Sequence, residues 1–400
     1  MAGMTEAPST SDQNELVGAY CDAKPFTASA QGHDFTFYPA GADRLQALID
    51  HIDSARDTLE IFYYMFQADG AGRQVLAALV RAAQRGVKLH LIIDDFGTDA
   101  PDEFFRPIIE AGGRFHTFSP DWNVRYLIRN HQKFVIADGQ RVLTGGFNVS
   151  DHYFASPADN GWCDLGVMIS GEVVGKFHEW FVLLEAWVAS HHRQFRAIRA
   201  MVREWDPGTG PVQLLLGGPT KLTSAWARAV KRDLARGERL DLVMAYFSPP
   251  GAMRRLIAMI ARKGQTRLIM AGKSDNTATI GASRSLYSKL LRAGAEIYEF
   301  QPCKLHMKML VVDDITYFGS ANFDMRSIRL NLELMVRVED AGIAAKMREL
   351  VDHMQANSEA ITPELHRRRK GLFNRIRWRL GWFLVSVIDY TVTRRLNLGA

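Results

Sequence analysis

The sequence predicts an α/β protein built from two similar domains in tandem, each a mixed β-sheet flanked by helices. A long internal repeat is the first reason: residues 129–150 and 304–327 both read His-x-Lys, four residues, Asp, then a short strand and a small-residue loop that ends in Asn. The second reason is a β-α-β-α-β succession ahead of each copy. Length is the third, because 400 residues can form two domains with separate hydrophobic cores.

The first half is expected to begin after a mobile polar leader over residues 1–32. Its first strand, His33–Tyr38, alternates apolar and polar residues, and Asp43 then precedes an amphipathic helix. Strands and helices alternate from there to the first motif, with strands at 58–66, 87–94 and 114–118 and helices at 74–84 and 104–111.

The second half repeats this order, with strands at 212–216, 240–247, 266–270 and 296–300 and helices at 224–235, 252–262 and 286–293. An apolar helix over 172–188 lies between the halves, and a turn-rich DPGTG sequence at 206–210 marks the expected boundary. The predicted domains therefore span residues 33–205 and 206–358.

The C-terminal stretch, residues 359–400, is predicted to be a basic amphipathic tail. Its basic run starts with HRRRK, and Trp378, Trp382 and Phe383 stand among arginines. This composition favours a helix lying in the interface of an anionic bilayer, and the alternatives are a helix packed on the protein or in a subunit contact. The net charge of +5 also favours an anionic partner, whether phospholipid, membrane surface or nucleic acid.

Several classes of protein are disfavoured by what the sequence lacks. Cys21, Cys163 and Cys303 form no CxxC pair, which disfavours a disulfide framework and a zinc site. The start of the chain does not read as a signal peptide, and no uncharged apolar run is long enough to predict a transmembrane helix. No P-loop sequence indicates nucleotide binding, and no metal or other cofactor is expected.

Each motif places a histidine and a lysine on the same face of a strand, since residues two apart point the same way. His131 with Lys133, and likewise His306 with Lys308, put a nucleophile or proton carrier beside a positive charge, which suits an anionic phosphate. Two histidines fit a two-step substitution at phosphorus. One attacks to form a phosphohistidine, while the other protonates the departing oxygen and then activates the incoming hydroxyl.

The loops after the two motif strands are assigned a phosphate-binding role. The two lysines, together with Asn148 and Asn322, are expected to hold the non-bridging oxygens as charge develops. The small residues Gly145–Gly146 and Gly319–Ser320 are expected to let the backbone approach the phosphate.

The alternative for a single histidine in an apolar strand is an ordinary core residue. Two copies with identical spacing, each followed by the Gly/Asn loop, favour catalysis instead. Asp138 and Asp313 are counted with the catalytic motif, but their position where strands end in turns favours a structural, charge-pairing role over direct chemistry.

The paired motifs resemble the double HxKxxxxD signature of the phospholipase D superfamily, over about residues 33–357. The resemblance implies two phospholipase D-type domains related by pseudo-twofold symmetry, whose motifs meet to form one metal-independent site. It also implies a phosphohistidine, with His131 as nucleophile and His306 as acid/base by analogy. The family orients each histidine through an acid, and Asp164 and Glu333, each inside an apolar strand, stand at the matching positions.

The extended second motif, GSANFDMRSIRLNLE, is similar to bacterial cardiolipin synthases of the short type without N-terminal transmembrane helices. The similarity includes Asp324, Arg326, Ser327 and Asn331. The implied reaction passes a phosphatidyl group to a hydroxyl of phosphatidylglycerol or a related alcohol. The implied partners are an anionic phospholipid and, through the tail, a membrane surface, with no obligate nucleic acid.

Three alternative functions stay open at this point, two of them enzymatic and one not. A phospholipase D differs only in using water as acceptor, and a nucleic-acid phosphodiesterase would want a basic, aromatic groove for a polymer. A non-enzymatic binding module would be favoured by the loss of a motif residue, yet both motifs are intact. The expected location is peripheral, on the cytoplasmic face of the bacterial inner membrane, and the oligomeric state is left open.

Overall fold

The computed structural model describes residues 20–119, 129–190, 195–220, 224–274 and 277–383. It contains two eight-stranded mixed sheets, each flanked by helices, which confirms the predicted fold class. Residues 384–400 of the predicted tail, and residues 1–19 of the predicted leader, lie outside the described part of the chain.

The first sheet has the strand order β1-β2-β9-β7-β6-β3-β4-β5. Strands β3, β4 and β5 run parallel to each other, and the remaining pairs are antiparallel. The elements of this half are β1 (Phe26–Ala30), β2 (His33–Tyr38), α1 (Gly41–Ser54), β3 (Thr58–Tyr63), α2 (Gly70–Gln84), β4 (Lys88–Asp94), α3 (Asp102–Glu110), β5 (Arg114–Phe118), β6 (Lys133–Ala137), β7 (Arg141–Gly145), α4 (Asp151–Phe154), β8 (Trp162–Cys163), β9 (Gly166–Ser170), α5 (Val173–Ala189) and α6 (Phe195–Glu204).

The second sheet has the order β10-β19-β17-β16-β11-β13-β14-β20, and its parallel strands are β11, β13 and β14. Seven consecutive strands thus repeat the arrangement of the first sheet. The elements are β10 (Val212–Gly217), α7 (Ala225–Arg236), β11 (Arg239–Met244), β12 (Phe247–Ser248), α8 (Gly251–Lys263), β13 (Gln265–Ala271), α9 (Thr277–Arg292), β14 (Glu296–Phe300), β15 (Lys304–Leu305), β16 (Lys308–Val312), β17 (Ile315–Gly319), β18 (Phe323–Asp324), α10 (Met325–Arg329), β19 (Glu333–Glu339), α11 (Ala341–Ala356), β20 (Ser358–Ala360), α12 (Pro363–Arg369) and α13 (Leu372–Phe383).

The prediction of a mobile leader up to residue 32 is wrong for its last part. Residues 26–30 form β1, which pairs antiparallel with β2 at the edge of the first sheet. Gln31 and Gly32 both have positive φ, at 55° and 74°, which is the backbone of a tight two-residue hairpin turn. The Ser/Ala-rich composition concealed an edge strand that is hydrogen-bonded to β2 and packs on the shared core through Phe26, Ala28 and Ala30.

Two predicted elements differ in length from the observed ones. Helix α9 begins at Thr277, whereas apolar periodicity indicated a helix only from residue 286. Its first turns contain Thr, Gly and Ser, which favour helix weakly, and packing against α13 supplies the missing stabilisation. Strand β3 ends at Tyr63 because Tyr64 leaves the sheet toward the junction of the two halves.

One hydrophobic core is shared between the two sheets. Phe318 on β17 makes edge-on contacts with Phe35 and Phe37 on β2, with ring centroids 6.4 and 5.9 Å apart. Each sheet has a further core on its outer face, beneath its own helices. The shared core fixes the halves against each other and so holds a site built from both.

The described part of the tail is packed on the second half. Strand β20, which starts at Ser358, adds to the edge of the second sheet, so the predicted tail boundary at 359 falls inside a strand. Trp378 on α13 is buried and stacks on His366, and Gly381 lies so close to α9 that an added Cβ would be 2.9 Å from Ala278 O. Among the helices within the described ranges, none is long and apolar enough to cross a bilayer.

Candidate active site

Beside each motif histidine, the backbone of one half pairs with the backbone of the other half. Strand β15 pairs in parallel with β8, and His306 N donates to Cys163 O at 2.8 Å. The matching crossing joins Asn130 to Leu332, and His131 N donates to Leu332 O at 2.9 Å. Each histidine is therefore hydrogen-bonded to the residue that precedes the acid of the opposite half.

This crossing pairs the acids and histidines between halves. Asp164 Oδ2 lies 2.7 Å from His306 Nδ1, and Glu333 Oε1 lies 3.2 Å from His131 Nδ1. Both carboxylates are completely buried, whereas the histidines are 13% and 17% exposed. Since an ionised carboxylate accepts the Nδ1–H, the other ring nitrogen, Nε2, is left with its lone pair toward the site.

The two acids stay ionised in spite of their burial. Burial alone would raise the pKa of Asp164, but His306, Lys308 and the buried Arg44 lower it to about 2. Burial likewise opposes ionisation of Glu333, while His131, Lys133 and the Ser320 hydroxyl bring its pKa below the ordinary range. The Ser320 hydroxyl donates to Glu333 Oε2 at 2.6 Å.

The small residues after β7 and β17 make room for these acids and for the next strand. An added Cβ on Gly146 would lie 2.4 Å from Asp164 Oδ1. Gly145 and Gly319 have φ of 153° and 152°, and a Cβ there would lie 2.1 and 2.2 Å from the carbonyls of Leu165 and Leu334. The small residues therefore admit the protein's own backbone and acid, and an approach of this backbone to phosphate stays a prediction.

The motif lysines lie beside their histidines. Lys308 Nζ donates to His306 O at 2.6 Å and is 2.9 Å from His306 Nε2. Lys133 Nζ donates to His131 O and lies 5.2 Å from the centre of the Tyr64 ring. Burial and Lys308 lower the pKa of Lys133 to about 7, although nearby acids raise it. The two ammonium groups thus form one cationic centre between the histidines.

The reactive nitrogens of the two histidines have different surroundings. His131 Nε2 is buried without a hydrogen-bond partner among the described residues, and the Tyr64 ring lies against this imidazole at 4.3 Å. His306 Nε2 is 3.5 Å from the Tyr153 hydroxyl, and the Trp162 ring lies 5.2 Å away. Burial lowers the pKa of both histidines to about 4, although the paired acid raises it in each case. Both imidazoles are therefore neutral at pH 7.

Sequence reasoning missed four residues that build this site. Tyr64, Tyr153 and Trp162 are ordinary aromatic residues in the sequence, and only the fold brings them to the histidines. Arg44 gave no signal because its amphipathic helix predicts an exposed arginine. It is instead completely buried and donates to the carbonyls of Tyr153 and Asp164 at 2.7 and 2.6 Å.

The motif asparagines and the extended second motif also lie near the site. Asn148 Nδ2 donates to the Tyr153 hydroxyl at 2.8 Å, and Asn322 is buried. Asn331 Nδ2 is 3.4 Å from His131 Nδ1, beside the pair with Glu333. In the same segment, Asp324 caps α10 through Ser327 N at 2.8 Å, which is a structural contact. Binding of phosphate oxygens by the two asparagines remains a prediction.

Asp138 and Asp313 lie at the opposite ends of the motif strands from the histidines. His131 and Asp138 are seven residues apart in sequence, which in a strand is roughly 20 Å. The Asp138 carboxylate accepts backbone N–H bonds from Arg56, Asp57 and Thr58, at 3.1, 2.7 and 2.9 Å. Asp313 does the same with Glu238 and Arg239. These acids thus have the expected structural role: they bind backbone amides, the charge of Arg141 also lowers the pKa of Asp138, and they take no place in the reactive pocket.

Replacing Asp138 with Ala should destabilise the protein without impairing the chemistry of the folded fraction. The change leaves three backbone N–H groups without their acceptor and puts Ala at a φ of 54°, so we expect unfolding to become easier by about 2–4 kcal/mol. Asp138→Asn keeps an acceptor and tolerates positive φ, and should lose less. Thermal unfolding together with activity per folded molecule measures this.

The pseudo-equivalent Asp313→Ala should behave like Asp138→Ala, and Ala in place of the exposed neighbour Asp314 is the matched control. A loss of activity per folded molecule in Asp138→Ala, with unchanged unfolding, would assign Asp138 to the chemistry instead.

The low pKa of Lys133 predicts a pH dependence of substrate capture. The side chain is cationic below its pKa of about 7 and neutral above it. For an anionic substrate, kcat/KM should therefore fall as pH rises through 7, approaching tenfold per pH unit. Lys133→Arg keeps its charge throughout, so kcat/KM of the unmodified protein should fall relative to that of this less active variant between pH 7 and 9, by up to about tenfold per pH unit. An equal fall in both proteins would assign it to another group, such as a motif histidine or Asp94, whose pKa burial raises to about 7.

A solved structure shares this fold. The phosphatidylserine synthase of Haemophilus influenzae superposes with a TM-score of 0.73 at 12% identity, covering 96% of this chain and 99% of that one. At this identity the likeness concerns the fold. Two mixed sheets that bring paired His-x-Lys motifs together define a phospholipase D-like protein.

Sequence comparison gives the family. A family model described as "Cardiolipin synthase, PLD-like domain" matches residues 48–183 and 231–355, so the chain belongs to this family. The major cardiolipin synthase of Bacillus subtilis is 31% identical over 318 residues, covering 77% of this chain and 66% of that protein. A cardiolipin synthase of Listeria monocytogenes is 28% identical over 351 residues, covering 85% and 72%. The chain thus spans about two thirds of the length of these relatives.

Proposed function

We propose that this protein is a phosphatidyltransferase of the cardiolipin synthase type, which moves a phosphatidyl group from one phospholipid to a hydroxyl of another. The observation that carries the proposal is the pair of buried histidine–acid contacts made across the two halves, at 2.7 and 3.2 Å, around two lysines. The cardiolipin synthases among its relatives support the choice of lipid substrate.

In the first step, His131 Nε2 attacks the phosphorus of the donor lipid. Glu333 holds the Nδ1–H of His131, so the attacking nitrogen keeps its lone pair. The bond from phosphorus to the headgroup oxygen breaks, and protonated His306 gives its Nε2 proton to that oxygen, releasing glycerol if the donor is phosphatidylglycerol. The bound phosphodiester favours this protonated form, because a negative charge beside the ring raises the pKa of His306.

In the second step, His306 acts in reverse. Its neutral Nε2 removes the proton from the hydroxyl of the acceptor lipid, and the oxygen attacks phosphorus as the bond to His131 breaks. Lys133 and Lys308 offset the charge that develops on the non-bridging oxygens. Tyr153, which is 3.5 Å from His306 Nε2, lies where departing and incoming oxygens would pass.

The same proposal places the protein on the cytoplasmic face of a bacterial membrane, bound peripherally through its tail. Helix α13 supports this, because the side opposite its contact with α9 is apolar and exposed. Leu372 and Phe373 are 76% and 77% exposed, and Ile376, Leu380 and Phe383 follow along the helix. Arginines interleave with these apolar side chains, as in helices that lie at an anionic bilayer surface.

Incubation with phosphatidylglycerol vesicles, followed by lipid analysis, tests the proposal. Cardiolipin with an equal amount of free glycerol is the expected result. Phosphatidic acid as the main product would make the protein a hydrolase with water as acceptor. No lipid product, with cleavage of single-stranded DNA, would replace the proposal by a nuclease.

A further inference from the structure

A basic groove lies between α8 and α9 in the second half, in a part of the molecule that the proposed chemistry does not use. Its volume is about 810 Å³, and none of the residues that line it belongs to the candidate active site. The apolar residues Met259, Leu286 and Leu290 are among those lining it. Five cations also line it: Arg254, Arg255, Arg262, Lys289 and Arg292.

These five cations are not neutralised by the protein. No acidic residue lines the groove, and among the residues that the structure describes none of the five pairs with a carboxylate. The Nε of Arg254 is buried, and no described residue offers it a hydrogen-bond acceptor. The corresponding helix of the first half, α2, is different, since Arg81 and the adjoining Arg85 both contact Asp53, at 2.6 and 3.5 Å. The groove therefore carries an excess of positive charge, which suits an anionic partner.

Helix α13 runs along α9 beside this groove. Lys370, just before α13, donates to Ser288 near one end of α9, and Gly381 packs on Ala278 near the other. Burial lowers the pKa of Lys370, and so do the nearby Arg375, Arg379 and Arg292, the last of which lines the groove. At its far end, the Trp382 ring lies 5.8 Å from the guanidinium of Arg254. The helix with the exposed apolar face thus adjoins groove cations at both ends.

We propose that this groove binds the phosphate headgroup of an anionic phospholipid in the bilayer, at an anchoring site distinct from the catalytic one. The cations would contact the headgroup, and the apolar lining would accept the first carbons of the lipid. The exposed apolar side chains of α13 would enter the same leaflet. The inference gives the proposed membrane contact a defined site, but it does not depend on which reaction the histidines catalyse.

A nucleic-acid backbone would also satisfy the charge, but the groove suits it less well. Polymer-binding grooves combine cations with aromatic side chains on which bases stack. Among the described residues that line this groove none is aromatic, and the ring beside it, that of Trp382, lies against the guanidinium of Arg254. The combination favours a lipid headgroup that is followed by hydrocarbon.

A triple variant of the full chain tests the site. Arg255, Arg262 and Lys289 are exposed, so changing all three to Gln should leave the fold intact. The matched control, R73Q/K88Q/R106Q, removes three exposed cations from the first half. Sedimentation with vesicles of phosphatidylglycerol and phosphatidylcholine measures the partition coefficient. At about fivefold for each cation, the groove variant should bind about 100-fold more weakly than the unmodified protein, while the control should change less than threefold.

Several results would overturn the inference. An equal loss in both triple variants would indicate diffuse surface charge, and no loss in the groove variant would remove the groove from membrane binding. Binding of a single-stranded oligonucleotide that is lost in the groove variant, with vesicle binding unchanged, would make it a nucleic-acid site.

A second measurement separates this inference from the proposed function. Activity on short-chain phosphatidylglycerol dispersed in detergent should be the same in the groove variant and the unmodified protein. A loss of that activity would contradict an anchoring site separate from the catalytic one. If the unmodified protein makes no cardiolipin, the proposed function fails, whereas a selective loss of vesicle binding in the groove variant would still support the groove.

Discussion

Replacing either His131 or His306 with Ala should lower the rate of phosphatidyl transfer by roughly 10⁴–10⁶-fold. His131 is assigned the bond to phosphorus and His306 both proton transfers, so neither step proceeds normally without its histidine. Because the two act as a unit, the double variant should be hardly slower than either single one. Cardiolipin formed from phosphatidylglycerol vesicles, measured by mass spectrometry, gives the rates.

The control for this experiment is His178→Ala. The side chain of this histidine is 50% exposed, and its ring contacts Glu60 at 2.8 Å rather than any motif histidine or lysine. It should retain normal activity. Near-normal turnover by either motif variant would contradict a single site shared by the two halves, and an additive double variant would indicate two independent sites.

Asp164→Asn and Glu333→Gln should each lower transfer by on the order of 10³–10⁴-fold, because either change removes the charge that holds a histidine in the correct tautomer. The acid–histidine contacts between the two halves also predict which histidine each acid variant should resemble. Asp164→Asn should reproduce the defects of His306→Ala, and Glu333→Gln those of His131→Ala, although each acid lies in the other half of the chain from its histidine.

A donor lipid with a p-nitrophenol headgroup distinguishes the two positioning roles. This leaving group needs no general acid, so release of the first p-nitrophenol should be restored in Asp164→Asn and in His306→Ala. It should stay slow in Glu333→Gln and in His131→Ala, which lack a properly held nucleophile. The opposite grouping, with Asp164→Asn behaving like His131→Ala, would show that the acids act within their own halves.

The duplicated fold could be predicted because both halves carry their information locally. Strand periodicity, helix-ending glycines and two motifs of identical spacing sufficed for the sheets and for the histidines and lysines. The crossed pairing could not be predicted, because it depends on β8 and β15 meeting across the halves, each only two residues long. Which acid meets which histidine is a property of that junction.

Other features were concealed for physical reasons. Gly146 and Ser320 occupy equivalent positions and are both small, so the sequence does not distinguish their roles. Ser320 donates a hydrogen bond to Glu333, whereas Gly146 leaves space for Asp164. Arg44 reads as a surface residue of an amphipathic helix, but it is buried beneath Asp164 and Tyr153. The composition of the tail predicts a basic, aromatic helix but does not show that one face of α13 packs on α9.

Trapping the covalent intermediate tests the central claim most directly. In His306→Ala, the p-nitrophenol donor should still load the enzyme, while the missing base prevents transfer to an acceptor hydroxyl. Peptide mass spectrometry should then find a phosphatidyl group on His131, and none in a His131→Ala enzyme treated alike. A phosphatidyl group on His306 of the unmodified enzyme but not on His131, or turnover through no covalent species at all, would contradict the account.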